Sequence, residues 1–194
     1  MITHVLVSEN SGHYESRLVA DSFSRDLPIT CIAQPRLLSA QQHVIGLVSR
    51  VDTAYVAQIA DDDMWSRYHL EEAFRCFAMH QDIHAFFGKS IAVRNEGCVP
   101  FERLSSTLLE VPLGDARSIS DFVILDQRDV AVRCMASTPL NIWSVVAKAR
   151  SHHQALLSSA GDPVYGELPS NDRLYIWRLS FEGSIAVGRN VSLF

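Results

Sequence analysis

The sequence predicts an α/β fold, a sheet flanked by helices. Two observations carry that prediction. Short apolar runs of strand character alternate with segments of helical apolar spacing through the first half of the chain. One of those strands runs straight into three consecutive aspartates, Asp61, Asp62 and Asp63. With 194 residues, 47% hydrophobic and 20% charged, the chain can bury one sizeable core and is expected to form a single domain over residues 1–194.

Taken in order, His4–Ser8 reads as a short buried strand closed by the turn-forming run Glu9-Asn-Ser-Gly12. Tyr14 to Phe23 has helical spacing through Leu18, Val19 and Phe23, and Ile29–Ala33 is a second strand that Pro35 ends. Residues 39 to 51 place Val44, Leu47, Val48 and Val51 on one helical face, and Ala54–Ile59 is the strand that delivers the aspartates. From Ser66, the positions Leu70, Ala73, Phe74, Phe77 and Ala78 predict a helix, and Ala85–Gly88 returns as a strand. Between about residues 94 and 121 the signal weakens, with Pro100, Pro112 and Gly114 marking irregular chain. Leu140–Ala149, through Ile142, Val145, Val146 and Ala149, predicts an amphipathic helix over the core. His152 and His153 are adjacent on a helix, point about 100° apart and are expected to be exposed. Tyr175 and Trp177, with Leu174 and Ile176, read as packing residues of a helix or strand rather than as rings that hold a sugar. Trp65 reads as a packing anchor at a helix start, the alternative being a ring that stacks on an acceptor sugar.

Several function classes are excluded or narrowed by composition. A net charge of -5 argues against general affinity for nucleic acid, which needs a basic face to neutralise phosphates. Cys31, Cys76, Cys98 and Cys134 are scattered, with no Cys-x-x-Cys pair, and read as reduced thiols of a cytoplasmic protein. No apolar run reaches bilayer-spanning length, and the start Met-Ile-Thr-His lacks signal-peptide character. A membrane-bound substrate, and so a position peripheral to the membrane, stays open.

Carboxylates at the carboxyl end of a strand in an open α/β sheet project into the crevice where such folds bind ligands. Three adjacent like charges repel one another and call for a partner. A divalent cation on a nucleotide diphosphate would serve, since a hard cation takes oxygen ligands from one or two carboxylates and the rest from phosphates and water. The alternative is a solvated acidic turn that complements the dipole of the following helix. Spacing alone does not choose between them.

The segment from Tyr55 through Asp61-Asp-Asp-Met-Trp65 to Leu70, continued by Glu71-Glu-Ala-Phe and closed by Ala85-Phe-Phe-Gly88, resembles the metal-binding region of glycosyltransferases of family two, which have the GT-A fold. Upstream, Val5-Leu-Val-Ser-Glu-Asn-Ser-Gly12 is similar to that family's second strand and turn, and Ile32-Ala-Gln-Pro35 takes the place of the segment before the next helix. Near the other end, Ser170-Asn-Asp-Arg-Leu-Tyr-Ile-Trp-Arg-Leu179 followed by Phe181-Glu-Gly-Ser-Ile185 is similar to the block that carries the family's general base. Asp129–Arg133 resembles the end of the family's acceptor-side strand.

The resemblance implies a GT-A fold with a mixed, mostly parallel sheet flanked by helices. It also implies an inverting, metal-dependent transfer of a sugar from a nucleotide-sugar donor to a glycan, lipid-linked or other hydroxyl acceptor. Asp62 and Asp63 would hold a divalent cation, Mn2+ or Mg2+; Glu9 and Asp61 would contact the nucleotide; Asp172 would be the general base. Arg178 is open to either a diphosphate contact or a structural ion pair.

The departures are specific. With Trp65 aligned, the first position of the family's DxD motif is Ala60, and the alternative register makes Asp61 and Asp63 the pair. Asn171 precedes Asp172 where the family has an acid, and Glu9 stands where it usually has an aspartate. The usual first strand is not seen, which implies incompleteness at the N-terminus and an edge through which copies of the chain could pair as a homo-oligomer. A non-catalytic GT-A-like binding module or an inactive fragment is therefore the second expectation. A metal-dependent phosphohydrolase is the third, without a second His or Asp cluster to support it.

Overall fold

The computed structural model describes residues 2–10, 15–90, 93–94, 97–98, 117–119, 122–136, 140–162 and 172–193. They divide into two units, Met1–Val51 and Asp52–Phe194.

In the first unit β1 (Val5–Glu9) and β2 (Ile29–Ala33) pair in parallel, Val5 opposite Ile29 and Glu9 opposite Ala33. Helices α1 (Glu15–Phe23) and α2 (Ala40–Val48) accompany them. Ser39 starts α2 through a capping box: its hydroxyl accepts from the Gln42 amide at 3.2 Å while Gln42 Oε1 accepts from the Ser39 amide at 3.4 Å. Past β1, the Asn10 side chain donates to the Leu38 carbonyl at 2.8 Å and accepts from the Leu38 amide at 2.9 Å. The helix expected from Leu18, Val19 and Phe23 is present, but those three side chains are exposed and Ala20 is the residue α1 buries.

The second unit is built on a six-stranded sheet of order β3-β9-β4-β10-β8-β7. In chain order its elements are β3 (Tyr55–Ala57), α3 (His69–Met79), β4 (Ile83–Ser90) and the short hairpin strands β5 (Val93–Arg94) and β6 (Gly97–Cys98). There follow β7 (Arg117–Ile119), β8 (Phe122–Leu125), α4 (Gln127–Ala136), β9 (Val145–Lys148), α5 (Ala149–Ala160), α6 (Asp172–Leu179) and β10 (Ser184–Leu193). The central strands are apolar on both faces, as strands covered on two sides must be. Ala85, Phe87, Val123, Leu125, Val145, Ala147, Ile185 and Val187 enter one core with Val130 of α4, Ala155 of α5 and Tyr175, Ile176 and Leu179 of α6. Phe86, Phe122, Ile124, Val146 and Ala186 enter the other, with Ala73, Cys76 and Phe77 of α3. The expected α/β architecture and mixed sheet are present. Parallel pairing joins β1 to β2 and β4 to β10, while β9 runs against both its neighbours and β7–β8–β10 is antiparallel. The described part is therefore richer in antiparallel pairs than the expected, mostly parallel sheet.

Three local expectations are corrected. Residues 140–149 do not form a helix: a 3-10 turn, Ile142–Ser144, leads into β9. Val145, Val146 and Ala147 are buried on both faces between β3 and β4, and an apolar run covered on both sides carries no period that separates strand from helix. Asp129–Arg133 is not the end of a strand but the body of α4. Asp126 and Asp129 form a reciprocal cap there, each carboxylate accepting from the other's amide, at 2.9 and 3.3 Å. His152 is buried rather than exposed, its Nδ1 bonded to the Tyr175 hydroxyl between α5 and α6. Expectations for Cys98, Asn171 and most of the weak stretch from 94 to 121 fall on residues or side chains outside those described.

Candidate functional site around the aspartate turn

Because β9 is antiparallel to both β3 and β4, and β4 is parallel to β10, the strands β3, β4 and β10 all point the same way. β3 therefore delivers Asp61–Asp63 to the edge where β4 and β10 end. Pairing continues one residue beyond β3, where the Gln58 amide donates to the Val145 carbonyl at 3.1 Å. The chain then turns, with the Asp63 amide donating to the Ala60 carbonyl at 3.4 Å. Asp61 and Asp62 sit at the centre of that turn and are exposed, whereas Asp63 is half-buried. Burial, then the Asp62 and Asp61 charges, push the Asp63 carboxyl above the ordinary carboxylate range.

Downstream of the aspartates the chain is packed into the same edge. Trp65 Nε1 donates to the Trp143 carbonyl at 3.1 Å, and the Trp65 ring lies 5.0 Å from that of His69. His69 is fully buried, hydrogen-bonded to the Ser144 backbone, and burial holds its pKa down at about 4, so it is neutral at pH 7. The packing role expected for Trp65 is thus present. Trp143, Asn141 and Ser144 were not singled out by the sequence; Asn141 as a cap of the short turn is the signal that could have marked them, since its Oδ1 accepts from the Trp143 amide at 2.9 Å.

Asp172 is the first residue of α6. That helix buries Tyr175, Ile176 and Leu179 on the sheet and ends shortly before Ser184, where β10 starts at the edge opposite the aspartates. A helix that packs on the sheet and feeds that strand has its first turn towards the aspartate edge. The Cys134 thiol near the end of α4, 3.6 Å from the Arg173 carbonyl, fits the same direction. Asp172 is half-buried, and burial raises its carboxyl pKa against the opposing effect of a backbone hydrogen bond. Arg178 forms an ion pair with Asp162 at 3.4 Å. Glu9 belongs to the first unit, where it is buried at the end of β1 and its carbonyl accepts from the Gln34 amide at 3.1 Å.

Unit two thus carries Asp61, Asp62, Asp63 and Asp172 towards one sheet edge. Among the described residues no three His, Cys, Asp or Glu side chains are grouped to hold a metal ion. The donor chemistry nevertheless fits a hard divalent cation shared with a ligand: carboxylate oxygens only, on a turn where burial and then the adjacent like charges raise the Asp63 pKa. Among the described residues no helix is long and apolar enough to cross a membrane.

No protein-family model matches the sequence, and no curated protein matches it by sequence. Solved structures do match in fold. S. aureus TarS 1-349 in complex with UDP superposes with a TM-score of 0.62 at 10% identity, over 98% of this chain and 50% of that one. A longer S. aureus TarS structure gives a TM-score of 0.65 at 11% identity, over 98% of this chain and 30% of that one. The chain thus spans half of the first structure and less than a third of the second. At these identities the likeness is one of fold, and it agrees with the expected GT-A fold, a mixed sheet flanked by helices.

Proposed function

We propose that the chain is an inverting, metal-dependent glycosyltransferase that moves a sugar from a nucleotide-sugar donor to an acceptor hydroxyl. The observation that carries this reading is the aspartate turn at the end of β3, with Asp172 opening α6 towards the same edge, in a fold shared with a protein crystallised with UDP.

Asp62 and Asp63 would hold Mn2+ or Mg2+ in this reading, with Asp61 at the nucleotide. A divalent cation bound there would neutralise charge on the diphosphate. The acceptor oxygen attacks the anomeric carbon while the bond from that carbon to the diphosphate oxygen breaks. Asp172 takes the acceptor's proton. Its burial-raised pKa makes it a stronger base than an exposed carboxylate, although only its ionised form can act. One displacement from the face opposite the diphosphate inverts the carbon. The free thiols Cys31, Cys76 and Cys134 suit a cytoplasmic setting.

A second reading, a GT-A-like module that binds without transferring, is favoured by Ala60 at the turn and by the lack of a three-ligand grouping among the described residues. Calorimetric titration with UDP and with GDP, each with and without Mn2+ and with Asp62→Ala as control, tests the first. Metal-dependent binding that the substitution abolishes supports the diphosphate site. A folded protein that binds neither nucleotide in either condition sinks it.

A further inference from the structure

The aspartate turn is anchored on both sides to one short segment. On the upstream side the Gln58 amide donates to the Val145 carbonyl at 3.1 Å; seven residues later Trp65 Nε1 donates to the Trp143 carbonyl, also at 3.1 Å. The receiving segment is itself held. Asn141 Oδ1 accepts from the Trp143 amide at 2.9 Å. The fully buried Ser144 hydroxyl lies 2.8 Å from the Asn141 carbonyl and 3.2 Å from that of Gly88 in β4, and gives its single proton to one of them. Behind Trp65, the buried His69 ring backs onto Phe86 of the core with ring centroids 5.9 Å apart. The turn's own bond, Asp63 amide to Ala60 carbonyl, is 3.4 Å long, beyond the usual range for an N–H to O bond. The two anchors, more than the turn, therefore set its shape.

We propose that Trp65 is a positioning residue for this site: its indole latch to the Trp143 carbonyl holds Asp62 and Asp63 at the sheet edge and so sets the affinity for a nucleoside diphosphate with its divalent cation. The ligand named here rests on the function proposed above; the latch does not. A residue that merely packs needs the ring of Trp65 and not its N–H.

Trp65→Phe separates the two, because it keeps an aromatic ring beside His69 and removes the donor. Hydrogen exchange at the Gln58 and Asp63 amides is expected to quicken about fivefold, the effect of one net hydrogen bond, while the amides of Phe86 and Val146 are unchanged. Calorimetric affinity for UDP with Mn2+ is expected to fall by about the same factor. Asn141→Ala, which loosens the acceptor side, is expected to move both readouts the same way and stands in if Trp65→Phe does not fold. Unchanged exchange at Gln58 and Asp63 in the folded variants overturns the latch. Faster exchange with unchanged affinity overturns the positioning role. A folded wild-type chain that binds neither UDP nor GDP, with or without Mn2+, overturns both the proposed function and the ligand assigned to the latch, while exchange still decides whether the latch exists.

Discussion

Replacing Gly183 by alanine tests the joint through which α6 passes into β10. A Cβ built there would lie 2.4 Å from His84 Cδ2, 2.6 Å from His84 Cγ and 2.9 Å from the Asp82 carbonyl oxygen. Ordinary carbon contacts need roughly 3.5–4.0 Å, so something has to move by about an ångström. Neither neighbour yields easily. His84 Nδ1 is bonded to the buried Ser151 hydroxyl at 2.9 Å, and the Asp82 carbonyl accepts from the Ser184 amide at 3.1 Å, where β10 begins to pair with β4. Overpacking costs about 1–3 kcal/mol in general, and two pinned neighbours place Gly183→Ala in the upper half of that span, about 2–3 kcal/mol. For a chain of this size each kcal/mol lowers Tm by roughly 2–4 °C, so the expected fall is about 4–12 °C by thermal unfolding. His84→Ala removes the nearer obstacle, and Gly183→Ala in that background is expected to lose at least about 0.5 kcal/mol less than in the wild type. A Gly183→Ala protein whose Tm stays within about a degree of wild type would refute the steric argument.

Acid sensitivity follows from two buried histidines. Burial lowers His69 and His152 from 6.5 to about 4, so the stability each contributes is present above pH 6.5 and lost as pH falls through about 4. The loss reaches roughly 3 kcal/mol per group at 1.36 kcal/mol per unit. His152→Gln is expected to flatten the fall in urea midpoint between pH 7 and pH 4.5; an unchanged pH slope contradicts this. For Asp63 the sign is opposite: burial and the neighbouring aspartates raise its pKa, so its contribution is present below 3.8 and lost as pH rises through the raised value. Asp63→Asn should therefore raise the unfolding midpoint at pH 7 and not at pH 3, and a lower midpoint at pH 7 counts against it. Phe87→Ala is expected to cost about 3–5 kcal/mol, being fully buried. Leu18→Ala, at a side chain 72% exposed on α1, should change stability by less than about 0.5 kcal/mol by denaturant titration, and a larger loss means that face is covered. Asp172→Asn is expected to slow sugar transfer by about 10²–10⁴-fold with UDP affinity retained; an unimpaired rate removes Asp172 as the base.

The elements β1 to β4 and α1 to α3 were legible in the sequence because their signals are local. Pro35 ends a strand, Val44, Leu47 and Val48 share one helical face, and the 3.6-residue spacing from Leu70 to Phe77 marks a helix side. The same local reading took the aspartates to the end of a strand. It did not decide that the apolar face of α1 is exposed, nor that residues 145–148 form a strand between β3 and β4. A run buried on both faces looks alike in either conformation, and its choice depends on partners far along the chain. His152 is buried because Tyr175, 23 residues away, comes to lie against it, and Trp65 is latched by a carbonyl 78 residues downstream. The sequence by itself thus determined the order of the first elements and the place of the three aspartates at the end of a strand. Only the tertiary structure decided which strand lies beside the aspartates and what holds their turn in place, because pairing and burial are properties of neighbours in space and leave no period in the chain.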